Sequence, residues 1–142
     1  MKRRDTLLRL KNFRVDELKR RLGTLDEMKA DLERKLADFD ESIAREKHRS
    51  SDSDIGRLAF PSFVRSIDTR RDNIRATMKD LERERSAAEG DLASAFQDLK
   101  SFEIAEEERE RRIAEAESQV SQSRLDELSI VRHLRKHALR QI

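Results

Sequence analysis

Apolar residues recur at alternating spacings of three and four along two long runs of this chain, with one break between them. In the first run the a-like positions are Leu8, Val15, Leu22, Lys29, Leu36 and Ile43. The d-like positions are Lys11, Leu18, Leu25, Leu32 and Phe39. The second run begins at Val64 and reads Ile67, Arg71, Ile74, Met78, Leu81, Arg85, Ala88, Leu92, Ala95, Leu99 and Phe102. It is interrupted at Glu106 and Arg109, then resumes with Ile113, Ala116 and Val120. A spacing of this kind gives each helix a narrow apolar seam that another helix has to cover. The pattern predicts an all-α fold: two helices in a coiled coil, with no pocket for chemistry between layers.

The break lies in Arg49-Ser-Ser-Asp-Ser-Asp-Ile-Gly56, a run of residues that favour turns and caps. Pro61, the only proline, suits the first turn of a helix, where its missing N–H costs nothing. The sequence therefore predicts helix one over about residues 5–48, a connector over about 49–61 and helix two over about 62–134, together one coiled-coil domain over 1–142. Gly23 and Gly90 interrupt neither run and read as local softness.

Two long helices with a short connector fold back most simply as an antiparallel hairpin. A bend near residue 55 brings Leu8 level with about Phe102. At 1.5 Å per residue the arms are unequal, roughly 65 Å and roughly 110 Å. Helix two is then expected to overhang its partner, leaving the stripe Ile113, Val120, Leu128, Val131 and Leu134 without an intramolecular cover.

Composition agrees with the pattern. Charged residues make up 44% of the chain and apolar ones 35%, too polar for a layered core and suited to a coiled coil. Net charge is only +2, but the charges are segregated. Residues 1–21 carry Lys2, Arg3, Arg4, Arg9, Lys11, Arg14, Lys19, Arg20 and Arg21 against Asp5, Asp16 and Glu17. Residues 103–117 carry Glu103, Glu106, Glu107, Glu108, Glu110, Glu115 and Glu117 against three arginines. An antiparallel hairpin sets the basic start beside the acidic stretch, which helps fix register although each exposed pair contributes under about 1 kcal/mol.

Little here points to catalysis. There is no cysteine, no glycine-rich phosphate loop and no Ser-His-Asp arrangement in a foldable cleft. The cysteine-free composition fits a reducing cytoplasm. His133 and His137 have the spacing of two zinc ligands on one helical face, but no third ligand stands near them; no metal and no cofactor is expected. Nucleic acid is not expected either, because tryptophan and tyrosine are absent and the six phenylalanines are not interleaved with the basic clusters. The N-terminus lacks the continuous apolar stretch of a secretory signal, and no segment approaches the ~18 apolar residues of a membrane span. The apolar residues of 1–21 are read as seam, which leaves at most peripheral association with anionic lipid. Near the bend, Ile55, Leu58, Phe60 and Phe63 crowd around Pro61. Two readings stand for them, a plug at the end of the seam and an exposed docking tip.

Several segments are similar to a known family. The opening Arg4-Asp-Thr-Leu-Leu-Arg-Leu-Lys11, the following Val15-Asp-Glu-Leu18, and the segments Phe60-Pro-Ser-Phe-Val-Arg65 and Thr69-Arg-Arg-Asp-Asn-Ile74 resemble the flagellar export protein FliJ family. So do Phe96-Gln-Asp-Leu-Lys-Ser-Phe-Glu103 and the charged helix after it. The resemblance implies a non-enzymatic component of the flagellar type III export apparatus, cytoplasmic and peripherally associated with its inner-membrane assembly. It implies a coiled-coil stalk whose termini enter the ring of the export ATPase and promote its activity. The hairpin side would face the cytoplasmic domain of the export gate. Carried onto this chain, the ATPase-facing residues are Leu7, Leu8, Lys11, Arg14, Arg109 and Ile113; the gate-facing residues are Phe39, Ile43, Phe60, Phe63 and Ile67. Family members also handle export chaperones, and no residue here marks such a site. The rival reading is a free-standing coiled-coil chaperone or a structural or regulatory protein that dimerises through the overhang.

Overall fold

A computed structural model of the chain describes residues 2–140. Two helices account for nearly all of them: α1, Lys2–Ser50, and α2, Asp54–Arg140. The chain divides into two compact units, Met1–Gln97 and Asp98–Ile142.

The first unit is the antiparallel hairpin that the two seams predict, formed by α1 and the first half of α2. Its buried apolar residues are Val15, Leu18, Leu25, Ile67, Leu81 and Ala88, all of them heptad positions. Leu25, Leu81 and Ala88 form one cluster, with the half-buried Leu22 and Leu32 against it. The seam is one residue wide, so each layer buries a few side chains and leaves its flanks to solvent.

Charged residues interrupt the seam without breaking it. Arg85 is two-thirds buried and donates through Nε to Asp26 across the hairpin (2.7 Å) and through Nη1 to Glu89 on its own helix (2.6 Å). The hydrogen bond to Asp26, with the negative charges of Asp26 and Glu89, raises the pKa of the guanidinium above its ordinary value. A basic group with a raised pKa stabilises the fold at every pH below that ordinary value, so this contribution does not vary near neutrality. Arg71 repeats the arrangement with Asp40 across the hairpin and Asp68 on its own helix. The pairs Arg85–Asp26 and Arg71–Asp40 are centred on the same point, between Ile55 and Gly56, so the register does not drift between them. It is the register expected for a bend near residue 55. Lys29 occupies a seam position as predicted but lies exposed, its long stem carrying the ammonium to water.

The connector is shorter than the sequence suggests. Only residues 51–53 separate the helices, where 49–61 was expected, and α2 begins seven residues before Pro61. Ser53 is the reason. Its hydroxyl oxygen accepts from the Gly56 N–H (3.0 Å), its carbonyl accepts from the Arg57 N–H (3.1 Å), and Asp54 puts a carboxylate in the first turn. An N-cap and an acidic first turn start the helix, and the helix absorbs the one donor that Pro61 lacks. α1 also extends beyond its expected ends of about 5 and 48, and its last turn carries Lys47, His48 and Arg49, whose positive charge suits a helix C-terminus. The Ser50 hydroxyl donates to the Lys47 carbonyl and that of Ser51 to the His48 carbonyl, each engaging a last-turn acceptor.

The reversal needs small residues. Ser50 is buried, and a Cβ on Gly56 would lie 2.9 Å from both the Ser50 Cα and the Ser53 Oγ. One of those atoms is backbone and cannot move without opening the turn. Gly56→Ala is therefore expected to lower hairpin stability by about 1–2 kcal/mol, against the gain of about 1 kcal/mol that alanine ordinarily brings to a helix. Gly90→Ala, with nothing within 4 Å of its added Cβ, should show that gain. Thermal unfolding followed by helical circular dichroism compares the two; equal shifts of the same sign would rule out the close approach at Gly56.

In the second unit Leu99 is buried, and Phe102, Glu103, Glu106 and Arg109 are half-buried. Every residue from Glu110 to Arg140 is exposed.

Candidate interaction surfaces

Exposed apolar side chains are unevenly distributed along the chain. Among the described residues, Met28 is the only large one between Arg14 and Asp54, and there is none between Ala59 and Ala95. They concentrate at the start of α1, at the start of α2 and in the second half of α2. On a helix otherwise covered by charged residues, such clusters are where a partner has apolar area to bury.

At the start of α1, Leu7, Leu10 and Phe13 are exposed, each by about half. They follow an i, i+3 row beside the seam, which is made by Leu8, Lys11, Val15 and Leu18. The expectation that all apolar residues of 1–21 belong to the seam therefore holds for Leu8, Val15 and Leu18 and fails for these three. Leu7 lines a shallow depression with Lys2, Arg3 and Thr6. Arg14 is exposed and donates to Glu17 (3.4 Å), one turn on. Of the residues assigned to an ATPase contact on this helix, Leu7 and Arg14 are open to solvent, while Leu8 and Lys11 are half-buried.

At the bend, the four apolar residues divide. Ile55 and Leu58 are 81% and 82% exposed and share one face of the first turns of α2. Phe60 and Phe63 are half-buried. The cluster is thus split into an exposed pair and a half-buried pair. Of the other residues assigned to a gate contact, Phe39 and Ile43 are half-buried in the α1 seam row, and Ile67 is 3% exposed, part of the hairpin core.

In the second unit, Ile113 is exposed, and Arg109 is half-buried with one guanidinium nitrogen, Nη1, enclosed and without a hydrogen-bond partner. The rings of His133 and His137 stack, with centroids 6.4 Å apart. Among the described residues no group of three or more histidine, cysteine, aspartate or glutamate side chains is placed to hold a metal ion, and no helix is long and apolar enough to cross a membrane.

Heptads alone did not reveal the exposed row Leu7, Leu10 and Phe13 or the exposed pair Ile55 and Leu58. The available signal was the excess of apolar residues over the seam's need in 7–13 and 55–63.

No curated protein and no solved structure matches the chain. A family model does, that of the flagellar FliJ protein, over residues 1–138, a range that covers the segments that carry the resemblance. The chain belongs to the flagellar FliJ protein family and with it is a component of flagellar protein export.

Proposed function

We propose that this protein is the coiled-coil stalk of the export machinery: a non-enzymatic part that inserts into the ring of the export ATPase, promotes its activity and links it to the export gate. The observation that carries this reading is the distribution of exposed apolar residues, sparse along the middle of the hairpin and concentrated at its bend and in the terminal stretches of the chain. A linker between two partners needs contact surfaces of this kind, separated by a stiff element.

The ATPase contacts are Leu7, Leu8, Lys11 and Arg14 in the first unit and, taken by themselves, Arg109 and Ile113 in the second. Charged and apolar side chains alternate there, a mix in which electrostatics gives encounter rate and specificity while apolar burial holds the complex. The gate contact lies at the bend, with Ile55 and Leu58 supplying exposed area next to Phe60 and Phe63. Phe39, Ile43 and Ile67 support that end from within the seam. The mechanism is physical coupling: an asymmetric helical pair in a ring of like subunits touches each of them differently, and differential contact biases their conformational equilibrium. The protein would then work in the cytoplasm, peripherally attached to the membrane assembly through its partners.

The test is ATP hydrolysis by the matching export ATPase with and without this protein, using the full chain and versions lacking residues 1–15 or 106–142. Stimulation by the full chain, lost in both trimmed versions, is the expected result. Neither stimulation nor co-sedimentation by the full chain would remove the ATPase role and favour a free-standing coiled-coil chaperone.

A further inference from the structure

The stretch from Glu110 to Arg140 is 31 residues of continuous helix with no buried residue. One face carries Ile113, Ala116, Val120, Leu128, Val131 and Leu134, a stripe about 30 Å long at 1.5 Å per residue. A helix with such a stripe is marginal in water until the stripe is covered.

The stripe has an internal symmetry. Ile113 and Leu134, Ala116 and Val131, and Val120 and Leu128 are each placed about evenly on either side of Ser123 and Arg124. The charges reverse about the same point. Residues 107–123 hold five carboxylates and three arginines, whereas residues 124–140 hold five basic side chains and two carboxylates. A stripe that reads alike in both directions, with flanking charges of opposite sign in its two halves, is complementary to an inverted copy of itself. Parallel pairing would set like charges together along the whole length.

We infer that a second copy of this chain covers this face, in an antiparallel pairing of residues 110–138 centred near Arg124. Ile113 of one copy packs against Leu134 of the other, and Ala116 against Val131. Glu110 comes level with the region of Arg135 and His137. Arg124 takes the role that Arg71 and Arg85 play in the hairpin, a seam arginine that turns to carboxylates of the facing helix, here Glu117 or Glu127 of the second copy. Because Ile113 also belongs to the proposed ATPase contact, self-pairing and that contact would exclude one another. The self-association itself is measured on the chain alone and does not depend on that reading.

The chain has no cysteine, so an introduced one is a unique label. Sedimentation of the full chain over a range of concentrations should show a monomer–dimer equilibrium that weakens with salt. Spin labels on Ala116→Cys and Val131→Cys, mixed, should lie close together. Two copies labelled at Ala116→Cys alone should be separated by about 15 residues of helix, roughly 22 Å. Reversing one half (Glu107→Lys, Glu110→Lys, Glu117→Lys) or the other (Arg132→Glu, Arg135→Glu, Lys136→Glu) should weaken the dimer at least tenfold, and mixing the two variants should restore it. A monomer at all concentrations, a dimer with its Ala116→Cys labels adjacent, or a dimer indifferent to both reversals would each overturn the inference. The first of these would leave the stripe to a partner in the export machinery.

Discussion

Leu25→Ala is expected to lower the unfolding free energy of the hairpin by about 2–3 kcal/mol. Leu25 is 4% exposed and sits in the cluster with Leu81 and Ala88, where Leu22 and Leu32 close the layer. The substitution removes three carbons, a transfer loss of about 2.4 kcal/mol at about 0.8 per carbon. The cavity contribution should be small, since a seam one residue wide is bordered by solvent and can collapse onto the gap. Lys29→Ala, one turn away but exposed, should change stability by less than about 0.5 kcal/mol. Leu25→Ala with Leu81→Ala should cost less than the two single changes together, because the residues share one cluster. There is no tryptophan or tyrosine to report locally, so urea unfolding is best read by hydrogen exchange of amides in residues 15–40 and 70–90. A loss below about 1 kcal/mol for Leu25→Ala would mean that this cluster does not hold the hairpin together.

The fold was legible because heptads state their own answer. Val15, Leu18, Leu25, Ile67, Leu81 and Ala88 are core residues at the positions where a 3-4 spacing put them. The register followed from the position of the bend, and Asp26 and Asp40 take up the two arginines that the pattern left in the seam. The helix boundary was less legible. Pro61 is a strong local signal, but Ser53 caps a helix that starts at Asp54, about two turns earlier, and Pro61 then lies inside α2. The exposed apolar side chains were harder still. A leucine one position off the seam has the same identity as one on it, and only the packing of the facing helix separates Leu7 from Leu8. At the bend, the three-residue connector decides which apolar residues turn inward. Once Ser50 and Gly56 meet, Phe60 and Phe63 lean toward the seam and Ile55 and Leu58 do not.

That division predicts how substitutions at the bend will behave. With the gate contact proposed at the bend, Ile55→Asp together with Leu58→Asp should weaken binding to the isolated cytoplasmic domain of the export gate by at least tenfold, since a contact centred on such residues loses about 2 kcal/mol or more when they are removed. The same double substitution should leave hairpin stability within about 0.5 kcal/mol of its starting value, because both side chains are already in water. Ile67→Asp should behave in the opposite order. Its side chain is enclosed in the hairpin core, where an unpaired carboxylate is expected to cost about 4 kcal/mol or more, so loss of binding there would follow from loss of the fold. Phe63→Ala lies between the two, with a modest stability loss and a binding loss larger than that stability loss alone explains. Titration calorimetry against the gate domain, paired with urea unfolding of each variant, separates the cases. If Ile55→Asp with Leu58→Asp binds as the native chain does while Phe63→Ala does not, the contact lies on the half-buried phenylalanine face and the exposed pair at the bend serves some other partner.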